Sequence, residues 1–273
     1  MKAMSFLRCL LLVASGSVAI AVPVQVDASE ADPFAQSTQM IVVTTPDWNA
    51  VEGQLQRYER ATPRETWSRV GEPISIVVGK NGLGWGMGVL ATDDPEVRSA
   101  SDPVKKEGDG KAPAGVFALG AVFGYASQPL PGLKMRYLSL TASVECVDDA
   151  GSKYYNRVVD RSAVAPDWNS SEHMRSTGEL YRWGIVVGHN GMASEVNGNP
   201  STPGGGSCIF LHIWRSPGQG TVGCTAMPQV ELETLLTWLD PKRKPLLVQL
   251  PASEYGRLID RWKLPALINV HPR

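Results

Sequence analysis

The run Gly204-Gly205-Gly206-Ser207-Cys208-Ile209-Phe210-Leu211-His212-Ile213-Trp214 sets the reading of the whole chain. From Cys208 to Trp214 it is β-branched, aromatic and apolar on both faces, which predicts a buried central strand. Downstream, Pro228 opens a segment with Leu232, Leu235, Leu236 and Leu239 in helical register, ending before Pro241. That pattern predicts one amphipathic helix. Leu246 to Leu250 reads as a last core strand, and Ser253 to Trp262 as a terminal helix. Upstream, Met40 to Thr45 is a β-branched run stopped by Pro46, with further strands expected at Gln54–Arg60, Ile74–Val78, Val116–Val122 and Arg182–Val187. Gly79-Lys80-Asn81-Gly82 is a turn signal, and residues 92–114 read as a long polar loop. Gly82, Gly84, Gly86 and Gly88 alternate with larger residues, including Trp85 and Met87, without a phosphate-cradle pattern, so closely packed backbone is expected there. The expected fold class is mainly β, with one or two packed helices.

Composition narrows the partners. The 273 residues carry 26 Lys+Arg against 27 Asp+Glu, a net charge of −1, which argues against a nucleic-acid binder. At 43% hydrophobic the chain has material for a real core, and 27 Gly with 20 Pro mark a turn-rich architecture. Lys2 and Arg8 precede an uncharged, mostly apolar run from Cys9 to Val22, too short to span a bilayer, with Ala19-Ile20-Ala21 as a small-x-small cleavage pattern. The expectation is a signal peptide at 1–21 and a flexible lead-in at 22–39. A main folded body at 40–251 and a helical extension at 252–273 follow. The mature protein is then exported to the periplasm or cell wall, with no membrane span.

Four cysteines become three once Cys9 leaves with the signal. Cys146, Cys208 and Cys224 allow at most one internal disulfide in an oxidising compartment, leaving a thiol. Cys208 is either core or the disulfide partner of Cys146. No CxxC occurs. Cys208 and His212, four apart on a strand, are separated by about 13 Å, too far to share a metal ion. Neither a metal nor a cofactor is expected. Cys224 has two readings: an inert buried thiol, or a nucleophile served by His212, which stands on a rigid strand twelve positions earlier. In the second reading Gly223 gives a substrate carbonyl room to approach, and the start of the Pro228 helix lowers the thiol pKa.

The segment Thr221-Val222-Gly223-Cys224 resembles the Ser/Thr-x-Gly-Cys signature of the L,D-transpeptidase catalytic domain (YkuD type), in which a strand-borne histidine precedes the cysteine as His212 does here. Gly110-Lys111-Ala112-Pro113-Ala114-Gly115-Val116-Phe117 is similar to that family's Gly-Lys-x-Thr/Ser-Pro-x-Gly-x-Phe hairpin. The likeness is closest to a branch with Glu-Gly-Asp-Gly-Lys, a His-Asn pair (His189-Asn190) and Ser-Cys-Ile-Phe-Leu-His, and it extends from about Met40 to Leu250. It implies a β-sandwich-like domain acting on peptidoglycan stem peptides. Cys224 is then the nucleophile, His212 the general base, the Ile213 carbonyl the group that orients the imidazole, and N–H groups around Gly223 and Cys224 the oxyanion hole. It also implies transfer of an acyl group to another stem (a 3→3 cross-link), or to water in an L,D-carboxypeptidase. The chain departs from the common form, which has His-Gly-Cys and an Arg two positions after the cysteine; Val222 and Ala226 stand there instead. Arg215, His189 or Lys111 is expected to take over part of the stem-carboxylate binding. His173 and His271 read as surface residues, and Trp168 as core or groove lining. A different exported cysteine amidase, or a non-catalytic wall-binding protein on the same fold, stays open.

Overall fold

The computed structural model describes residues 32–192 and 201–267. The predicted signal peptide, the first part of the lead-in and His271 lie outside the described residues. Thirteen strands follow in order: β1 (Gln39–Thr45), β2 (Glu52–Glu59), β3 (Ser68–Val77), β4 (Leu83–Trp85), β5 (Ala112–Gly124), β6 (Tyr137–Ser139), β7 (Val144–Val147), β8 (Val158–Asp160), β9 (Ser171–His173), β10 (Trp183–Val187), β11 (Phe210–Ile213), β12 (Thr225–Met227) and β13 (Leu246–Pro251). Two α-helices complete the set, α1 (Gln229–Trp238) and α2 (Ala252–Leu258). The protein is mainly β, as the alternating and β-branched runs predict.

The large sheet runs β10-β11-β12-β3-β2-β1-β13-β5, and β5 pairs back onto β10, so the sheet closes into a barrel-like form. Short strands β4 and β6 pair with β5. The β1 strand is the axis of this arrangement. Its Met40, Ile41, Val42 and Val43 are fully enclosed, with β2 antiparallel on one side and β13 parallel on the other. Met40 lies opposite Leu246 and Thr45 opposite Pro251, so the two ends of the described chain are joined by one ladder. A strand covered on both faces needs no polar alternation, and β1, β10, β11 and β13 show none.

Helix α1 places Leu232, Leu235 and Leu236 inside, with Leu239 just beyond its end, and packs on β10 and β11. Helix α2 packs on β13 and β1 through Tyr255 and Leu258. Trp262 and Leu264 join the same core, so the helical extension expected at 252–273 forms, over its described residues, one wall of that core. The lead-in, by contrast, is corrected. Phe34 is buried in the core, and Arg60 donates to the carbonyls of Phe34 and Ser37. One apolar anchor and one guanidinium order a stretch whose composition reads as flexible. The 92–114 segment is less of an exposed loop than expected: Val97 and Lys105 are buried, and β5 already starts at Ala112.

The Gly79–Gly82 turn forms as predicted, with Gly82 N–H donating to Gly79 O at 2.8 Å. Gly82 has φ +76, and a Cβ there would lie 2.0 Å from the Trp48 carbonyl, so only glycine fits.

A second, three-stranded sheet, β8-β7-β9, lies in the stretch between β6 and β10. Sequence reading missed it because its strands are only three or four residues long, too short for a period to show. At its centre the enclosed Glu145 carboxylate accepts from Trp168 Nε1 at 2.8 Å and Ser171 Oγ at 2.7 Å, and pairs with His173 and Arg161. Trp168 is thus a packed, hydrogen-bonded side chain and not a groove wall.

Leu235→Ala is expected to cost about 2–5 kcal/mol in urea unfolding, because it empties a fully enclosed site. Val230→Ala, five residues earlier on the exposed face of α1, should stay within about 0.5 kcal/mol.

Candidate active site

Two elements bring the candidate pair together. His212 is the third residue of β11, and β12 begins at Thr225 immediately after Cys224. Because β11 and β12 pair in parallel, with Leu211 opposite Thr225 and His212 opposite Ala226, the loop between them returns Cys224 to the level of Phe210, two residues before the histidine. Both line one cleft of about 570 Å³, together with Glu172, His173, Tyr181, Arg215 and Thr221. A larger cavity of about 650 Å³ lies between β1, β2, β3 and Trp214 and holds neither side chain. Chemistry, not size, selects the smaller one.

The thiol is only 3% exposed. Its Sγ accepts from the Phe210 N–H at 3.3 Å and donates to the Cys208 carbonyl at 3.5 Å. Cys208 has φ +56, a left-handed conformation that costs a non-glycine residue about 1 kcal/mol or more. Two bonds hold it there. A disulfide ties Cys208 to Cys146 of β7 across 62 residues of sequence, and the Cys208 N–H donates to Asn156 Oδ1 at 3.0 Å. Cys208 therefore precedes the strand that sequence reading placed it in, and its carbonyl is turned onto the thiol. Cys224 is the free cysteine among the described residues.

The His212 ring is fixed by its neighbour. Nδ1 lies 2.8 Å from the Ile213 carbonyl, which can only accept, so Nδ1 carries the proton and Nε2 keeps its lone pair. The ring also packs edge-on against Tyr181, with centroids 5.3 Å apart. Burial pushes the His212 pKa down to about 4, opposed by the bond to Ile213. Burial and then the Glu172 charge push the Cys224 thiol up to about 12, against the lowering effects of the Phe210 N–H, Lys105 and Tyr181. The resting pair is a neutral imidazole and a neutral thiol. This corrects the expectation of a helix N-terminus beside the cysteine, because β12 and Pro228 separate Cys224 from α1.

The remaining expected residues divide. Arg215 lines the cleft. Lys111 does not; its Nζ donates to the Asn81 carbonyl at 2.7 Å. His189 is fully buried away from the cleft. Its Nδ1 accepts from Met87 N–H at 3.3 Å and its Nε2 lies 2.9 Å from Gly205 O, so both nitrogens serve the backbone and none is left for a ligand. Gly223 is not a free donor either, since its N–H goes to Thr221 Oγ1 at 3.0 Å while that hydroxyl donates to Cys224 O at 2.6 Å. A Cβ on Gly223 would lie 3.2 Å from the Lys111 carbonyl, so its role is close packing beneath the cysteine. Sequence reading missed Glu172 and Tyr181. The available signal was their place just ahead of β10, where chain segments at strand ends tend to line sites. His173, expected on the surface, is indeed exposed but stands on the cleft wall. Among the described residues no cluster of acidic, histidine or cysteine side chains is arranged to hold a metal. No helix among them is long and apolar enough to cross a membrane.

His189 gives a pH signature. Burial lowers its folded pKa from 6.5 to about 4, and protonating Nδ1 would turn it against the Met87 N–H. The unfolded chain therefore takes up that proton first, and stability falls as pH drops through this window. His189→Asn should remove up to about 3 kcal/mol of the pH dependence between about pH 6.5 and pH 4, read as the difference in urea-unfolding slopes. Separately, replacing Cys146 and Cys208 together by Ser should cost about 2–5 kcal/mol at neutral pH.

No family model, curated protein or solved structure matches the chain.

Proposed function

We propose that this protein is an exported peptidoglycan L,D-transpeptidase with Cys224 as nucleophile and His212 as general base. The observation that supports it most is the bond from His212 Nδ1 to the Ile213 carbonyl at 2.8 Å, in the cleft that also holds Cys224. That bond selects the tautomer whose Nε2 is a base, and the motif order of the sequence matches an enzyme using this pairing. The same proposal reads the closed sheet as a sandwich-like form of that catalytic domain.

In the first half-reaction the Cys224 thiol gives its proton to His212 Nε2 as Sγ attacks the carbonyl carbon of the stem's third residue. Starting from neutral partners, this transfer belongs to the attack itself and not to a resting thiolate–imidazolium pair. The tetrahedral oxyanion is assigned to the Cys224 N–H, since Gly223 is committed to Thr221. The C–N bond breaks, the imidazolium protonates the leaving nitrogen, and D-alanine departs from a thioester. An amine of a second stem then attacks the thioester, loses its proton to His212, and releases Cys224. Arg215 is the cleft cation assigned to the stem carboxylate, replacing the arginine absent at Ala226. Water as acceptor would make the enzyme a carboxypeptidase.

Incubation with purified wall fragments and mass spectrometry of the products tests this. Release of D-alanine with a 3→3 dimer is expected, and D-alanine release alone would assign the carboxypeptidase. Cys224→Ala should lower product formation at least about 10³-fold with an unchanged circular dichroism spectrum. Product formation surviving Cys224→Ala would refute the assignment. Arg215→Ala should raise the half-saturating donor concentration about tenfold, the loss of one charge-assisted contact.

A further inference from the structure

Glu172 has no place in the reaction as written, yet it borders the same cleft. It lies on β9 directly opposite Cys146, so the disulfide fixes its position relative to Cys208 and thus to the thiol. Its Oε2 accepts from the Tyr181 hydroxyl at 2.8 Å. Tyr181 is buried, wedged edge-on against Phe123, Phe210 and His212, and it lines the same cleft as the Cys224 thiol.

A phenol has one proton to donate. While Glu172 is ionised, that proton is committed to the carboxylate, and the hydroxyl offers the sulfur only lone pairs. When Glu172 is neutral it can donate to the phenolic oxygen, and the Tyr181 proton is free to turn onto the sulfur. Only the second arrangement stabilises a thiolate. We propose that Glu172 is a positioning residue that acts through Tyr181, its protonation state deciding whether the Tyr181 hydroxyl supports the thiol or the thiolate form of Cys224.

The surroundings suit such a role. Burial, followed by the charges of Asp148 after β7 and Glu107 in the 105–111 loop, raises the Glu172 pKa to about 7 against the bond from Tyr181. Its neighbour His173 is engaged elsewhere, 3.2 Å from Glu145. Glu107 itself accepts from Tyr155 at 2.5 Å, and no ion pair joins a cation to Glu172 among the described residues. The Glu172 charge is thus met by acids and by one phenol, and it titrates near neutrality.

The inference rests on the functional reading only for its purpose; its test needs no wall substrate. Thiolate absorbance of the full chain is followed against pH, with the Cys224→Ala protein subtracted. Glu172→Gln, whose amide can donate to Tyr181 and carries no charge, should lower the titration midpoint by about one unit, tenfold more thiolate at fixed pH. Tyr181→Phe keeps the ring packing but removes a hydroxyl whose proton Glu172 already holds where the thiol titrates. Alone it should therefore not raise the midpoint, whereas added to Glu172→Gln it should raise the midpoint by about half a unit or more. Adding Glu172→Gln to Tyr181→Phe should recover less than half of the single-variant gain. A Glu172→Gln midpoint within twofold of wild type overturns the proposal, as does an equal Glu172→Gln gain with and without the Tyr181 hydroxyl. Should Glu172→Gln not fold, Tyr181→Phe decides alone, a midpoint raised by about half a unit or more counting against the proposal. A shifted midpoint in a protein that releases no D-alanine would leave this proposal standing and sink the functional reading, and the reverse result would do the opposite.

Discussion

The left-handed turn at Cys208 is the constraint on which the rest of the site hangs. A β-bonded strand entering directly at Cys208 would point its carbonyl along the ladder. Instead, the disulfide to Cys146 and the bond from its N–H to Asn156 hold the backbone reversed, and that carbonyl meets the Cys224 thiol. Two residues later the Phe210 N–H approaches the same sulfur from the other direction. The thiol is therefore placed by backbone, which cannot change rotamer, and only the proton-handling groups around it are side chains.

The same turn couples the two sheets. Asn156 accepts from Cys208 and donates from Nδ2 to the carbonyls of His189 and Asn190, at 3.0 and 2.9 Å, so one buried amide connects the small sheet, the loop after β10 and the approach to β11. Phe123, Tyr181, Phe210, Met174 and the three cysteines form a second apolar cluster at this junction, apart from the main core. A cleft built at the seam of two sheets can be dry at its floor and charged at its rim, which is the condition under which a neutral thiol and a neutral imidazole coexist.

Much of the fold is legible in the sequence where elements are long or repeat their period. The β1, β5, β10, β11 and β13 runs and the leucine stripe of α1 stand at nearly the expected positions. Legibility ends where a single long-range contact decides. Phe34 and Arg60 order a stretch that reads as a linker, and Tyr255 turns a terminal tail into core. The candidate site divides on the same line. The strand that carries His212 and the Thr221-Val222-Gly223-Cys224 motif are local in sequence, so the pair could be named in advance. His189 looked like a ligand because a histidine at a strand end is polar and near other polar residues; nothing local announces that Met87 and Gly205 saturate both of its nitrogens. Gly223 looked like a donor because nothing local says that the Thr221 hydroxyl folds back onto its N–H. Glu172 and Tyr181 are distant in sequence from Cys224 and meet it only through the small sheet.

The ladder between β1 and β13 has a temporal meaning. Met40 pairs with Leu246, so the first described strand waits for nearly the last, and β5 needs β13 as well. Without β13, β1 and β5 each present an open, largely apolar edge. The ring, and the cleft built on it, therefore closes only when residues 246–251 take their place between β1 and β5.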